Sequence, residues 1–266
     1  MQNVLFAFFA GLFGLIIGSF LNVLIFRKPI GGRPTGRSYC RNCQRILSPR
    51  ELIPLASFVI QKGRCRHCGI VLSIQYPLVE LLTALAFAVA SWMIIQDAPL
   101  LLNYLNLFLA FLGISASIYI LVVDYKHYLI PDGAVLLLAL VGLATSFGRT
   151  VETHSYQVLR SDLAGAFIFT LILGALWFFP KGTWMGFGDV KLIFATSLLI
   201  GFPLSLSAFL FSFWSGALIG IPLLILKKRK PQDHIPFGPS ILIGALAAYF
   251  WGYQFLELAG IFYLLH

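Results

Sequence analysis

The chain is divided into long apolar runs separated by short polar stretches, and this pattern constrains its fold more than any other feature. A helix needs about 20 apolar residues to cross the hydrocarbon core of a bilayer, and it satisfies its own backbone hydrogen bonds there. Charged residues make up only 11% of the chain, far fewer than in a soluble domain. The sequence therefore predicts an all-α polytopic membrane protein with about eight transmembrane helices. The runs lie at about 4–26, 76–96, 101–123, 131–148, 163–179, 189–201, 204–226 and 238–256.

Two of these runs need a closer interpretation. The first begins at MQNVLFAFF without a positively charged segment before it, which indicates a retained membrane helix and not a cleaved signal peptide. Gly14 and Gly18, four residues apart on this helix, predict close helix packing. Residues 189–226 are interrupted at Gly201-Phe202-Pro203. They form either two helices joined by a tight turn or one broken helix, and their length favours two helices.

The basic residues are distributed unevenly among the connections between runs. If the N-terminus lies outside, alternate connections fall on the cytoplasmic side and hold 17 of the 19 Lys and Arg residues. This bias follows the positive-inside rule and predicts that both termini lie outside. It also explains the net charge of +9 without nucleic acid as a partner. The basic connections are 27–75, 124–130, 180–188 with the adjoining Lys191, and 227–237.

Residues 27–75 form the only sizeable polar block, and they contain every cysteine of the protein. Two Cys-x-x-Cys pairs, separated by 21 residues, provide four thiolates for a tetrahedral zinc site. Gly63 and Gly69 suit the turns of such a module. Four thiolates leave no open position for water, which indicates a structural zinc ion, and His67 need not be a ligand. Unligated thiols or a redox pair remain the alternative. The four cysteines are Cys40, Cys43, Cys65 and Cys68.

Acidic residues are rare, and four aspartates fall on the predicted cytoplasmic side: Asp124, Asp132, Asp189 and Asp233. Asp132 suits the positive end of a helix that starts near Pro131. Asp233 lies in a charged loop and is expected to be solvated. Asp124 ends an apolar run, where a helix C-terminus disfavours negative charge. A carboxylate at such a position is a functional candidate.

Asp189 is the second functional candidate, because it follows Gly186-Phe187-Gly188 and begins another run. The glycines permit close approach of an extended substrate. Two neighbouring carboxylates that share a proton can hydrolyse a peptide bond, one as base and one as acid. A plain helix N-cap is the alternative for Asp189.

Six ordered blocks of the sequence resemble type IV prepilin peptidases, the bifunctional leader peptidases and N-methyltransferases of bacterial pili, type II secretion and competence systems. The Gly-x-Gly-Asp element alone would also fit presenilin-like proteases. The blocks are GSFLNVLIFRKP at 18–29, the two Cys-x-x-Cys pairs, GRCRHCGIVLSIQYPLVE at 63–80, DYKHYLIPD at 124–132, GFGDVKL at 186–192 and IPFGPS at 235–240.

The resemblance implies that Asp124 and Asp189 are the catalytic pair. It further implies a prepilin or pseudopilin substrate whose basic leader is cut after a glycine at the cytoplasmic face of the bacterial inner membrane. The new N-terminus would then be methylated with S-adenosylmethionine. The cytoplasmic module and the region around Glu80 are the candidates for the methyl-donor site. The chain departs from the family pattern at Glu51, where the family often has an aspartate.

The resulting domain division has three parts: a first transmembrane helix at 1–26, a tetracysteine zinc module at 27–75 and a transmembrane aspartyl peptidase core at 76–266. Two alternatives belong to other classes. A transporter or channel with a zinc-ribbon regulatory domain would also carry intramembrane acids, but near the bilayer midplane along one path. A scaffold subunit of a secretion machine would need neither Asp124 nor Gly-Phe-Gly-Asp189.

Overall fold

Helices account for nearly all the regular structure of this protein. The computed structural model describes residues 2–27, 32, 35–95, 101–179, 185–225 and 236–261. Within these ranges there is one 3₁₀ turn, Pro49–Glu51, and no named strand. The helices are α1 (Gln2–Arg27), α2 (Ala56–Ile60), α3 (Gln75–Ile94), α4 (Leu101–His127), α5 (Asp132–Thr153), α6 (Tyr156–Phe178), α7 (Phe187–Ile200), α8 (Leu204–Ile225) and α9 (Gly238–Leu258).

The prediction of an all-α polytopic membrane protein is confirmed. In the described part of the chain, seven helices are long and apolar enough to cross a bilayer: α1, α3, α4, α5, α6, α8 and α9. The remaining predicted run, 189–201, corresponds to α7. Its 14 residues extend over about 21 Å at 1.5 Å per residue, less than the roughly 30 Å of a hydrocarbon core. Helix α7 is therefore shorter than a typical span, but it still passes from one end of the bundle to the other. Lys191 pairs with Asp132 at the start of α5, and the Leu199 carbonyl accepts from Arg149 near the end of α5 at 3.5 Å.

The two-helix interpretation of 189–226 is also confirmed. Helix α7 ends at Ile200 and α8 begins at Leu204. Gly201 between them has a φ of +79°, a conformation that glycine adopts without steric cost. A Cβ at this position would lie 2.9 Å from the Asp162 Oδ1 atom. Both the backbone conformation and the space at this turn therefore require glycine.

The chain forms two compact units, residues 1–119 and 120–266. In the first unit, α1 and α3 pack closely through the predicted glycines. A Cβ at Gly14 would lie 2.7 Å from the Ala84 Cα atom, and one at Gly18 would lie 2.7 Å from the Glu80 Cα atom. Such short distances mean that the two backbones touch, as expected for small residues four apart on one helix face.

In the second unit, α7 is a largely buried helix that contacts α5, α6 and α9. Its approach to α5 is close because a Cβ at Gly142 would lie 2.7 Å from the Leu199 backbone nitrogen. This contact joins α5 to the end of α7 that precedes the turn into α8. The position of α7 therefore depends on the helices around it and not on lipid.

An ion pair fixes the same end of α7. The Arg149 Nη2 atom lies 2.8 Å from Asp162 Oδ2, and the Asp162 side chain is only 1% exposed. Asp162 Oδ1 accepts a hydrogen bond of 2.7 Å from the Phe202 backbone N–H. Arg149 also donates to the Ser146 hydroxyl at 3.1 Å. The pair thus joins α5, α6 and the turn between α7 and α8.

We predict that Asp162→Ala lowers the free energy of unfolding by about 3 kcal/mol, because it leaves a partly buried guanidinium and a backbone N–H without their acceptor. Thermal unfolding of the purified protein in detergent measures this effect. Glu257→Ala, at an exposed position of α9, is the control and should unfold like the wild type. Equal unfolding temperatures for Asp162→Ala and the control would contradict a stabilising role for the pair.

Candidate active site and cysteine cluster

The two Cys-x-x-Cys pairs form two turns with the same backbone hydrogen bonds. In the first turn, the Cys40 N–H donates to the Arg45 carbonyl at 2.9 Å and the Gln44 N–H donates to the Cys40 carbonyl at 2.9 Å. In the second, the Cys65 N–H donates to the Ile70 carbonyl at 2.9 Å and the Gly69 N–H donates to the Cys65 carbonyl at 3.0 Å. These bonds direct the cysteines of each pair to one side of the turn.

Glycine is used where these turns need a left-handed conformation. Gly69 has a φ of +68° and Gly63 a φ of +66°, so the prediction that both glycines suit turns of the module is confirmed. The first turn has Gln44 at the position that corresponds to Gly69, with a φ of +59°. A non-glycine residue with positive φ is uncommon, and here the surrounding hydrogen bonds hold it.

The four cysteines meet in one cluster, as predicted. The Sγ atoms of Cys40, Cys43, Cys65 and Cys68 all lie within 4.8 Å of one another, and Cys40 Sγ is 3.8 Å from Cys68 Sγ. Four sulfurs at about 2.3 Å from a tetrahedral metal are about 3.8 Å apart. A disulfide requires about 2.05 Å, so the arrangement fits a metal ion and not a pair of disulfides.

The surroundings of the cluster shift the pKa values of its thiols in different directions. Against a hydrogen bond from the Arg45 backbone, burial and the neighbouring Cys40 and Cys68 side chains raise the pKa of the Cys43 thiol to about 11. The Ile70 backbone N–H, together with the Asn42 side chain, lowers the pKa of the Cys68 thiol to about 6. Cys40 and Cys65 are buried, and Cys43 and Cys68 are exposed. Among the described residues, the cluster consists of the four cysteines, and His67 does not belong to it.

Asp124 lies in the last turn of α4 and is almost fully buried, with 4% of its surface exposed. Its Oδ2 atom has no hydrogen-bond partner among the described residues. Gly238, at the start of α9, packs directly against this carboxyl group. A Cβ on Gly238 would overlap Asp124 Oδ2, so the start of α9 can approach the carboxyl group only because this residue is glycine.

Asp189 lies in the first turn of α7 and is 6% exposed. The Gly186 backbone N–H donates to its Oδ2 atom at 3.2 Å. The N-cap residue of α7 is Gly186, so Asp189 is not the N-cap itself, although its carboxylate reaches back to the first turn. A carboxylate at this end of a helix is stabilised by the helix dipole.

Asp124 and Asp189 both lie in the second unit. Asp124 contacts Gly238 and Asp189 follows Gly188, and these two glycines pack against the same residue, Ile130. Ile130, in the connection between α4 and α5, packs against Gly188 and Gly238. A Cβ at Gly188 would lie 3.0 Å from the Ile130 Cβ atom, and one at Gly238 would lie 3.3 Å from Ile130 Cδ1. The pair is therefore assembled from the end of α4 and the starts of α7 and α9.

The other two aspartates do not belong to this pair in the described structure. Asp132 lies in the first turn of α5, as predicted. Its side chain is 79% exposed and forms an ion pair with Lys191. Asp233 lies outside the described residues. Of the predicted aspartates that the structure describes, Asp124 and Asp189 are thus the two buried ones.

Glu80, the candidate for the methyl-donor site, lies on α3 in the first unit and is buried. The Leu55 backbone N–H donates to its Oε2 atom at 2.8 Å. Glu80 lines a cavity of about 340 Å³ that is also lined by residues of α1 and of the cysteine module. A second acidic residue, Glu51, also lines this cavity. The sequence singled it out only as a departure from the family pattern, because its burial depends on the tertiary structure.

Two models of known protein families match the parts of the chain that contain the cysteine cluster and the two aspartates. The family model of the bacterial peptidase A24 N-terminal domain matches residues 12–94, which include the cysteine cluster. The model of the type IV leader peptidase family matches residues 111–221, which include both aspartates. The chain belongs to the type IV leader peptidase family. Its membership makes it a peptidase with methyltransferase activity, and the seven long apolar helices make it a multi-pass membrane protein.

Relatives in this family cover nearly the whole chain. A prepilin leader peptidase/N-methyltransferase of Bacillus subtilis (strain 168) is 35% identical over 91% of this chain and 92% of that protein. A protein of the same name from Legionella pneumophila is 31% identical over 91% of this chain and 90% of its own. The type 4 prepilin-like proteins leader peptide-processing enzyme of Escherichia coli O78:H11 is 33% identical over 88% of this chain and 90% of its own. No solved structure matches the chain.

Membership of a peptidase family decides against the transporter and the scaffold. The positions of the two acids agree with this conclusion. Asp124 lies in the last turn of α4 and Asp189 in the first turn of α7, so both are at helix ends and not in the middle of a span.

We predict that the protein purified without chelator carries one divalent metal ion per chain, because the four sulfurs already have a spacing suited to tetrahedral coordination. Elemental analysis measures the stoichiometry. Replacement of all four cysteines by serine should abolish metal binding, whereas His67→Ala should leave it unchanged. A metal-free wild type, or a metal content that persists without the cysteines, would refute the site.

Proposed function

We propose that this peptidase removes the basic leader from prepilins or pseudopilins by aspartyl hydrolysis at the cytoplasmic face of the bacterial inner membrane. It then methylates the new N-terminal residue with S-adenosylmethionine. The observation that supports the peptidase half is that Asp124 and Asp189 are both buried and that the glycines beside them pack against the same residue, Ile130. The names of the relatives support the substrate class and the second activity.

The hydrolytic step follows from the chemistry of the pair. One carboxylate removes a proton from water while the other, protonated, donates to the oxygen of the scissile carbonyl. The resulting tetrahedral species collapses as the leaving amine takes a proton from the pair. Since water is the nucleophile, the route needs no covalent bond between substrate and protein. Burial strengthens each of these interactions, because the local dielectric constant is low.

The approach of substrate to the pair depends on the glycines beside it. Gly186 is exposed and leaves room for the backbone of an extended peptide beside Asp189, whereas Gly188 packs against Ile130. The cytoplasmic loops and the leader are both basic, so long-range attraction between them does not bring the substrate to the site. We infer that the apolar helix of the pilin binds between membrane helices, while the basic loops set the topology and contact anionic lipid.

The orientation rests on the charge distribution. The connections assigned to the cytoplasm hold 17 of the 19 Lys and Arg residues, a bias that sets the orientation of multi-span proteins. The proposal keeps the division into a first helix at 1–26, a cytoplasmic module at 27–75 and a peptidase core at 76–266. The orientation places the cysteine cluster and both catalytic aspartates on the same side of the membrane.

Two bound species complete the proposal. The four cysteines would hold zinc, which suits tetrahedral thiolate coordination and supplies folding energy to a module with little apolar core. S-adenosylmethionine supplies an activated methyl group when bound. The cavity beside Glu80 fits such a molecule, since it combines buried carboxyl groups with aromatic walls in about 340 Å³.

We predict that Asp124→Asn and Asp189→Asn each lower the rate of prepilin cleavage by at least about 10²-fold, since an amide can neither accept nor donate the transferred proton. Mass spectrometry of a purified prepilin incubated with each variant measures the product. Asp132→Asn is the matched control and should cleave at the wild-type rate, because its carboxylate is exposed. Complete processing by the double mutant of Asp124 and Asp189 would refute the mechanism.

A second prediction concerns Gly238. The methyl group that Gly238→Ala adds overlaps the Asp124 carboxyl group and must displace it. We expect this displacement to lower the rate of prepilin cleavage by about 10²-fold, because catalytic groups must be held in a narrow geometry. The same cleavage assay measures the effect. Gly133→Ala is the control, because a Cβ there meets no atom of the described structure within 4 Å. Unchanged cleavage by Gly238→Ala would show that the contact does not position the carboxyl group.

A further inference from the structure

The segment between the two cysteine turns exposes large apolar side chains. Leu52, Ile53, Val59 and Ile60 are all exposed in the described structure. They belong to a stretch, residues 52–60, that starts at the end of the 3₁₀ turn and continues through α2. Several large apolar residues exposed on one short segment mark an interaction surface. We call residues 52–60 the apolar segment.

The start of the apolar segment lies alongside the membrane-spanning part of α1. One groove is lined by Leu52, Ile53 and Pro54 of the segment together with Ile16, Phe20 and Val23 of α1. Ile16 and Phe20 are exposed on a helix apolar enough to cross a bilayer, so they face lipid. Phe20 precedes Arg27, the last residue of α1, by about two helical turns, or about 10 Å. The segment therefore lies level with lipid-facing residues of α1.

A hydrogen bond to α3 gives a second measure of this depth. The Leu55 N–H donates to the Glu80 Oε2 atom at 2.8 Å. Glu80 follows Gln75, the first residue of α3, by more than one helical turn. Leu55 has a φ of +56°, which is uncommon for a residue other than glycine, and the bond to Glu80 holds it. The chain thus turns back at a level inside the span of α3.

The backbone of this turn is suited to an environment without water. An N–H group that faces lipid is costly unless it has a partner in the protein. Pro54 has no N–H group to satisfy. The neighbouring donors find acceptors within the chain: the Leu55 N–H bonds Glu80, and the Ala56 N–H donates to the Pro54 carbonyl at 2.6 Å. The turn can therefore enter the apolar layer without leaving these groups unpaired.

The charges that follow the segment identify the kind of surface that it fits. Lys62, Arg64 and Arg66 come directly after it, and all three are exposed. Apolar side chains next to basic ones are typical of segments that lie in the membrane interface. Basic residues at this level are attracted to anionic headgroups. They repel a basic peptide, so charge favours anionic lipid over the leader of a prepilin.

The first cysteine turn provides a matched comparison within the same module. Ile46 is 53% exposed and Ile53 is 51% exposed. Ile46 forms a bridge with Tyr39, and the Tyr39 ring centroid lies 6.0 Å from the guanidinium carbon of Arg27. Arg27 is the last residue of α1. The turn with Ile46 therefore lies at the end of α1, whereas Ile53 lies beside its apolar part.

We propose that the apolar segment dips into the leaflet of the bilayer that adjoins the cysteine module, with Leu52 and Ile53 against acyl chains beside Phe20. Lys62, Arg64 and Arg66 then lie among the headgroups of anionic phospholipids. The contact holds the cysteine module against the membrane surface, in addition to its covalent links to α1 and α3. This attachment is independent of the peptidase and methyltransferase reactions.

Photo-labelling by lipid tests the proposal on the wild-type chain. The full protein is placed in nanodiscs of phosphatidylethanolamine and phosphatidylglycerol that include a phospholipid with a diazirine in its acyl chain. After irradiation, tryptic peptides are mapped by mass spectrometry. We expect label in 51–62, as in the α1 peptide 1–27, and only background label in 46–50. Background label in 51–62, or equal label per residue in 46–50 and 51–62, overturns the proposal.

A pair of variants tests the same contact by stability. We expect Ile53→Glu to lower the unfolding temperature in these nanodiscs by about 2–4 °C, because a carboxylate is costly at an apolar depth. Ile46→Glu is the control and should unfold like the wild type, since its side chain is equally exposed but lies outside the apolar layer. Equal unfolding temperatures for the two variants overturn the proposal. So does a segment that a photoreactive prepilin helix labels and lipid does not, because substrate then covers this surface.

Discussion

The burial of two carboxyl groups beside each other is the constraint on which the second unit depends. An isolated charge in an apolar environment is strongly unfavourable, and two like charges cannot both persist there. The structure meets this condition at helix ends, where the Gly186 N–H reaches Asp189 and the tightly packed Gly238 encloses Asp124. In the proposed mechanism, one proton shared by the two carboxyl groups supplies the acid and the base that hydrolysis needs.

The short helix α7 makes this arrangement possible. With 14 residues it starts at the aspartate pair and ends at the turn that the Arg149–Asp162 ion pair holds. One end of α7 therefore carries Asp189, and the other end is attached to α5 and α6 through the Arg149–Asp162 ion pair. Because α7 is enclosed by other helices, its position is set by packing. Close packing of this kind holds catalytic groups within the narrow distances that reactions require.

The first unit uses its polar residues differently. The module between α1 and α3 has little apolar material, and its folded form relies on the sulfur cluster and on repeated turns. The same segment uses backbone N–H groups to fix Glu51 and Glu80. The cysteine cluster and the two buried acids are thus linked through one stretch of chain. The chain combines two kinds of site, one made by helix ends and one made by a loop folded against two helices.

The amino-acid sequence by itself determined the membrane helices, the four sulfur ligands and the two candidate aspartates, because apolar run length, Cys-x-x-Cys spacing and rare acids are local properties of the chain. The close packing at Gly14 and Gly18 was predictable for the same reason. Only the tertiary structure decided that Asp124 meets Asp189, that Gly238 packs against Asp124, and that Glu51 shares a cavity with Glu80. These contacts join residues far apart in the chain, and they depend on how helices pack, which no local pattern specifies.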